Sequence, residues 1–395
     1  MKEAFPLKYW RGYLTAGVIA FFSWALMEFA AAHTVLIDMV YPYVTRMIQT
    51  FLAQWSSGAD FCLWQVLVSL GIAGVLASAV LMIVLRWNPV QWFGWVLTAV
   101  SIVFFLHTAV YGLNAYAGPI SEDIRLDVTD YTLSELEAAT TYYRDQANAL
   151  ADKVRRDENG DVVADFDAFA EQAREGFQLL VEEYSFSIYA GSMLPVKELG
   201  NAKSYTSKGI AGTTIPLTGE AAVNPQIPGV AMPFAMCHEM AHRMCIAIDR
   251  DADLSAYLAC RANYGAEFQY SAYFMAYRYC YNAMKGLASA EAQAAAQQIN
   301  AGISDQLYKD LTTYEKFFGT ETSKPDFLGS VNDTYDDMLA EEEKTLAQAG
   351  TICDLLVSWH IQEIVLPTQV DDVGRFDPFD ETQVDLTGIV NAKGR

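Results

Sequence analysis

The chain has 395 residues, 52% of them hydrophobic, and a formal net charge of -22. Residues 1–115 carry five Lys/Arg and four Asp/Glu, which leaves 21 basic against 44 acidic residues for the rest. The chain therefore reads as two parts, and so acidic a second part excludes nucleic acid as a partner, because phosphate contacts need Lys and Arg patches.

Gly12 to Ala32, Leu63 to Leu85 and Trp92 to Leu113 are apolar; the first is broken by Glu28, and the third holds His107. Each approaches the ~20 residues that cross ~30 Å of hydrocarbon. Tyr9, Trp10, Trp87, Trp92, Tyr111 and Tyr116 flank them as interfacial aromatics do. They predict a membrane anchor over residues 1–115 with three transmembrane helices, about 12–32, 63–85 and 92–113. The first stretch is too long for the core of a signal peptide and reads as an uncleaved span. Glu28, close to the end of its span, is expected at the interface. Lys2, Lys8, Arg11 and Arg86 outweigh Arg46, the one basic residue of the first loop. The positive-inside rule then places the N-terminus in the cytoplasm and residues 116–395 outside, in a multi-pass protein of the cell membrane whose partner is the lipid bilayer.

After the third span, Thr132 and Glu135 form a capping-box pattern that starts a helix running to about Val154. "RRDENGDVVAD" alternates Asp157, Asn159 and Asp161 like a calcium loop but lacks its terminal Glu, so it reads as a solvated turn. A helix is predicted from Phe166 to Tyr184. The Gly, Thr and Pro of Lys203 to Val230 then signal strands and loops. One long helix is expected from Asp249 to about Met284, with Gly265 as its weak point, and another from Ser289 to Phe318. A loop with Pro325, a helix near Asp333 to Gln348 and a helix in "TICDLLVSWHIQEIVLP" complete the prediction. Six cysteines show no CxxC spacing, which removes thiolate zinc and redox motifs; Cys260 and Cys280 are more simply buried thiols than a bridge.

The chemistry lies in "HEMAH". On a helix, residues four apart share a side, so His238 and His242 point together with Glu239 beside them. Two imidazoles so spaced can take one Zn²⁺, with the glutamate as general base toward water. A helix with two packed histidines and a solvated Glu is the plain alternative, but Phe234, Met236, Met240, Met244, Ile246 and Ile248 surround them. Buried imidazoles and a carboxylate without partners are costly. His360, in a core-like helix, is expected to be packed, so the third ligand should be a carboxylate from "DRDAD". Asp249 is favoured because it shares a face with Asp253, which would hydrogen-bond a ligand histidine from behind; Asp251 is the alternative.

"CHEMAHRMCIAIDRDADLSAYLAC" resembles the signature of a bacterial family of uncharacterised three-span membrane proteins, with a pattern close to HExAHxxGxAxExEANFxAYLAC. The likeness extends to "YPYVTRMIQTF", "YGLNAYAGPISE" and "IPLTGEAAVNPQIPGVAMPFAMCHE". That family is similar in turn to gluzincin metallopeptidases, in which a Glu opening an ExxxD motif is the third ligand. The resemblance puts that Glu on Asp249 and the Asp on Asp253. The chain departs from the pattern with Cys245 for Gly, Asp249 and Asp251 for Glu, and Asp253 for Asn.

The resemblance implies a mainly α chain, three transmembrane helices followed by an α+β zincin-like domain with a small β-sheet, acting as a zinc-dependent metallopeptidase on a peptide or protein substrate. It also implies an edge strand holding extended peptide, for which Gly212 to Asn224 is the candidate, with Gly219, Glu220 and Asn224 against substrate. A structural hairpin is the competing reading of that stretch. Tyr335 resembles a family element and is the candidate oxyanion donor. The aspartate substitutions motivate an alternative, a degenerate zincin that binds a peptide or envelope partner. A structural membrane protein with an accidental HEMAH is a third reading.

Overall fold

A computed structural model describes residues 9–184, 188–318 and 351–367. The loop with Pro325, the helix expected near Asp333 to Gln348 and the tail after Pro367 lie outside the described residues.

The three apolar stretches form α1 (Arg11–Ala32), α3 (Leu63–Val84) and α4 (Pro89–Val110), each long and apolar enough to cross a membrane. α4 starts sharply because Pro89 opens it and the Asn88 side chain accepts from Val90 N and Gln91 N. α1 and α4 lie side by side, both running the same way. A Cβ on Gly12 would sit 2.4 Å from the carbonyl carbon of Gly94, and Thr98 Oγ1 donates to Gly12 O at 2.8 Å. Small residues thus bring the two backbones together, as apolar surroundings favour. α3 buries none of its residues.

The segment between the first two spans, for which the sequence signalled no element, is a helix, α2 (Thr34–Ser56), containing Pro42. One face docks on the rest of the protein. Tyr41 Oη donates to Thr108 O at 3.0 Å, Arg46 Nε to Met244 O at 3.2 Å and Gln49 Nε2 to Pro216 O at 3.0 Å.

A 3-10 turn (Gly112–Tyr116) and α5 (Ile120–Asp123) lead to α6 (Leu133–Ala151), where the Thr132 and Glu135 capping box is present as read. Asp157 Oδ1 accepts from Asn159 N and Asp161 N, which makes the polar segment a self-bonded turn. Then follow α7 (Phe166–Glu183), β1 (Lys197–Glu198), α8 (Ala202–Thr206), β2 (Gly212–Ile215), β3 (Glu220–Val223) and α9 (Met232–Arg243). The sheet order is β1-β3-β2, with β1 parallel and β2 antiparallel to the central β3. Gly219 closes the hairpin at φ +66°, where a Cβ would meet Ala53 N at 2.4 Å.

The expected long helix from Asp249 is two helices, α10 (Asp249–Ala262) and α11 (Ala266–Gly286). Asn263 causes the break. Its Oδ1 accepts from Gly265 N at 2.9 Å and Gln172 Nε2 at 3.0 Å, bonds that compete with continued helix. The stretch from Ser289 is likewise divided into α12 (Ala290–Ala301) and α13 (Asp305–Phe318). There Asn148 holds Gly302 O and Ser304 N, both at 2.9 Å. The helix Ile352–His360 runs into a π-turn, Ile361–Val365. α9 is wrapped by β3, α7, α10 and α11, which is why it is apolar on nearly every side. All six cysteines are free and buried. The chain is thus mainly helical with one small mixed sheet.

Candidate metal centre

α9 ends in a left-handed turn. Cys245 has φ 71°; its N–H bonds His242 O at 2.9 Å and the Ile246 N–H bonds Ala241 O at 3.2 Å. This is the Schellman pattern, whose left-handed position glycine usually occupies. It therefore gives a physical reason for the glycine at this place in the pattern the sequence resembles. The turn reverses the chain within a few residues, so that the first turn of α10 returns to the histidines.

His238 Nε2 and His242 Nε2 meet at 2.9 Å, and Asp249 Oδ1 lies 3.2 Å from His242 Nε2. Ligand atoms of these three residues all fall within 4.8 Å of one another. Each imidazole is fixed from behind. His238 Nδ1 donates to Asp253 Oδ1 at 2.8 Å, and His242 Nδ1 to Ile246 O at 2.8 Å. Tyr279 Oη donates to the other Asp253 oxygen at 2.9 Å.

These bonds settle the protonation logic. A carbonyl and a carboxylate only accept, so both Nδ1 atoms carry the proton and both Nε2 atoms present lone pairs. Two lone pairs and a carboxylate facing one another need a cation among them, a proton or a metal ion. With no metal, burial disfavours an imidazolium, yet the bond to Asp253 and the charges of Glu239 and Asp249 raise His238 to about 9. With a proton instead of a metal shared in the cluster, a hydrogen bond from His242, with both imidazoles nearby, holds Asp249 down at about 2, although its side chain is 78% exposed. The donor set of two imidazole nitrogens and a carboxylate oxygen fits zinc.

Glu239 is buried beside this cluster, 6% exposed. Burial raises its pKa, against the lowering effect of the two imidazoles and of the Thr214 hydroxyl. Thr214 Oγ1 donates to Glu239 Oε2 at 2.8 Å. A Cβ at Gly212 would lie 2.6 Å from Glu239 Oε1, so the strand approaches this closely because residue 212 has no side chain.

The cluster opens into a cleft of about 290 Å³ whose walls include Gly212, Thr213 and Thr214 of β2, Ala247, and His107 and Tyr111 from the end of α4. Tyr111 Oη donates to His242 O at 3.1 Å. By sequence, His107 and Tyr111 belong to the membrane part alone. Their approach joins positions more than a hundred residues apart, which no local pattern encodes.

The other expected residues are placed elsewhere. Asp251 is buried and accepts from Ile120 N at 3.4 Å, turned from the histidines. Glu220 accepts from Leu63 N at 2.7 Å, Trp64 N at 2.8 Å and Lys197 Nζ at 2.8 Å, and so caps α3. Asn224 bonds Thr206 Oγ1, Ile210 O and Gln226 N. With Gly219 packed on α2, these three build the hairpin, and it is β2 that borders the cleft. His360 is buried against the rings of Tyr142 and Tyr143, as a packed histidine. Tyr335 lies outside the described residues.

No curated protein and no solved structure matches the chain. A family model described as "Protein of unknown function (DUF3810)" matches residues 38–341, a stretch that includes most of α2, two of the three spans, the sheet and both helices of the cluster. The chain belongs to this family.

Proposed function

We propose that this protein is a membrane-anchored zinc-dependent metallopeptidase, with residues 116–395 on the extracytoplasmic side. One observation carries the reading: three lone-pair donors converge, each imidazole held in its ligand tautomer from behind, with a buried carboxylate alongside. His238, His242 and Asp249 would hold the ion. When bound, zinc supplies Lewis acidity, polarising a carbonyl and acidifying water.

The chain's own residues do the rest. Asp253 and the Ile246 carbonyl keep the ligand nitrogens aimed. Glu239, steered by Thr214, takes a proton from the attacking water and delivers it to the leaving nitrogen. Its burial keeps its pKa raised, which suits a group that must both accept and return a proton. β2, at the sheet edge, offers main-chain groups along which an extended peptide can lie.

The test uses the full chain in detergent. Metal analysis should return about one zinc per chain, and casein or a peptide library should be cut by wild type and not by Glu239→Gln. A chain without stoichiometric zinc sinks the reading. Zinc without turnover leaves the degenerate, peptide-binding alternative. Equal turnover in both proteins removes Glu239 as the base.

A further inference from the structure

We infer, building on the peptidase reading, that the cleft receives its substrate from the bilayer: the segment cut is the juxtamembrane stretch of a polypeptide that is itself anchored in the membrane. The path is a face of α4. Val100, Phe104, His107 and Tyr111 recur at four, three and four residues, so they stack along one side of the helix. His107 and Tyr111 are walls of the cleft, while Val100 and Phe104 are exposed. At the helical rise, Phe104 lies ~5 Å and Val100 ~10 Å deeper than His107. The strip that borders the metal ligands therefore continues, without a turn of the chain, down the side of a helix long and apolar enough to span.

α2 fixes the depth. It is tied to Thr108 and Asn114, at the level of His107 and Tyr111. Away from that contact it presents Val35, Met39, Met47, Phe51 and Trp55, all exposed. A helix docked by one face, apolar on the other and continuous with a span rests at the boundary of headgroups and acyl chains. The cleft then opens at the same boundary. A peptide wholly in water has no use for an apolar approach, whereas a membrane-anchored one arrives along it with its polar, scissile part uppermost and the edge of β2 to receive it.

Photocrosslinking tests this. The full Glu239→Gln chain, with benzoylphenylalanine at Phe104 or at Ile102 on the opposite side of α4, is placed in phosphatidylcholine nanodiscs. The probes are a randomised peptide segment free in solution, the same segment fused to a polyleucine transmembrane helix, and that helix alone. Sharing a bilayer raises effective concentration by ~10²–10⁴-fold for both positions, so the comparison between positions is the readout. The expected result is that position 104 captures the fused segment well above position 102, and above the bare helix at 104. Equal capture at 102 and 104, or capture of the fused segment no better than the bare helix, overturns the inference. Failure of the peptidase reading shows separately, as wild type that holds no zinc and cuts neither the free nor the fused segment, whatever the crosslinks say.

Discussion

Two glutamates nineteen positions apart, Glu220 on β3 and Glu239 on α9, are both buried within the same few elements. Glu220 meets two backbone N–H groups and a lysine ammonium. Glu239 meets one hydroxyl and shares a cleft with two imidazoles. A carboxylate held by three donors, one of them a cation, has a structural role, since its charge is already compensated. One kept dry and half answered is available for chemistry. Burial alone does not separate them; the count of donors does.

The comparison is broken most directly at Glu239. Glu239→Gln should lower peptide hydrolysis ~10²–10⁴-fold, the range for losing a general base. Its thermal midpoint should hold or rise, because a neutral isostere replaces a carboxylate that burial disfavours. Glu220→Ala should do the reverse. It leaves the half-buried Lys197 ammonium with only the Ser56 and Phe61 carbonyls and uncaps α3, costing about 2–3 kcal/mol of stability. Denaturant unfolding in detergent should show that loss, and activity should survive in the fraction still folded. If Glu220→Ala instead abolished turnover in a fully folded protein, the division between the two glutamates would fail.

Asp253→Asn sharpens the same contrast. It keeps a hydrogen bond to His238 but removes the charge behind the ligand, so zinc affinity measured by competition with a chelator should fall ~10–100-fold. The same change at Asp251 should leave affinity unmoved, because Asp251 faces Ile120. The smallest effect is expected at Cys245. Cys245→Gly relieves a left-handed residue carrying a Cβ, and should stabilise the chain by about 1 kcal/mol in a melting experiment with zinc content unchanged.

Much of this was legible in the sequence, for reasons that differ by element. The spans announce themselves by length and composition. His238, Glu239 and His242 follow from helical spacing, and Asp249 with Asp253 from the same rule one helix later. What was not legible depends on distant partners. α2 mixes a docked face with a lipid-like one, so neither a span nor a soluble amphipathic pattern stands out. The breaks near Asn263 and Gly302 depend on Gln172 and Asn148, contributed by other helices. Glu220 reads as a substrate contact only because the resemblance implies an edge strand over Gly212 to Asn224; its neighbours are the start of α3 and Lys197, reached only through the fold.

The two imidazoles differ in what stands behind them, a side chain for His238 and a main-chain carbonyl for His242. Substitution can retune the first, since residue 253 can be exchanged for a weaker or neutral acceptor. It cannot delete the second, because every amino acid at position 246 brings the same carbonyl. Variation at this centre is thus channelled through one histidine, while the other is insulated by the way its helix stops.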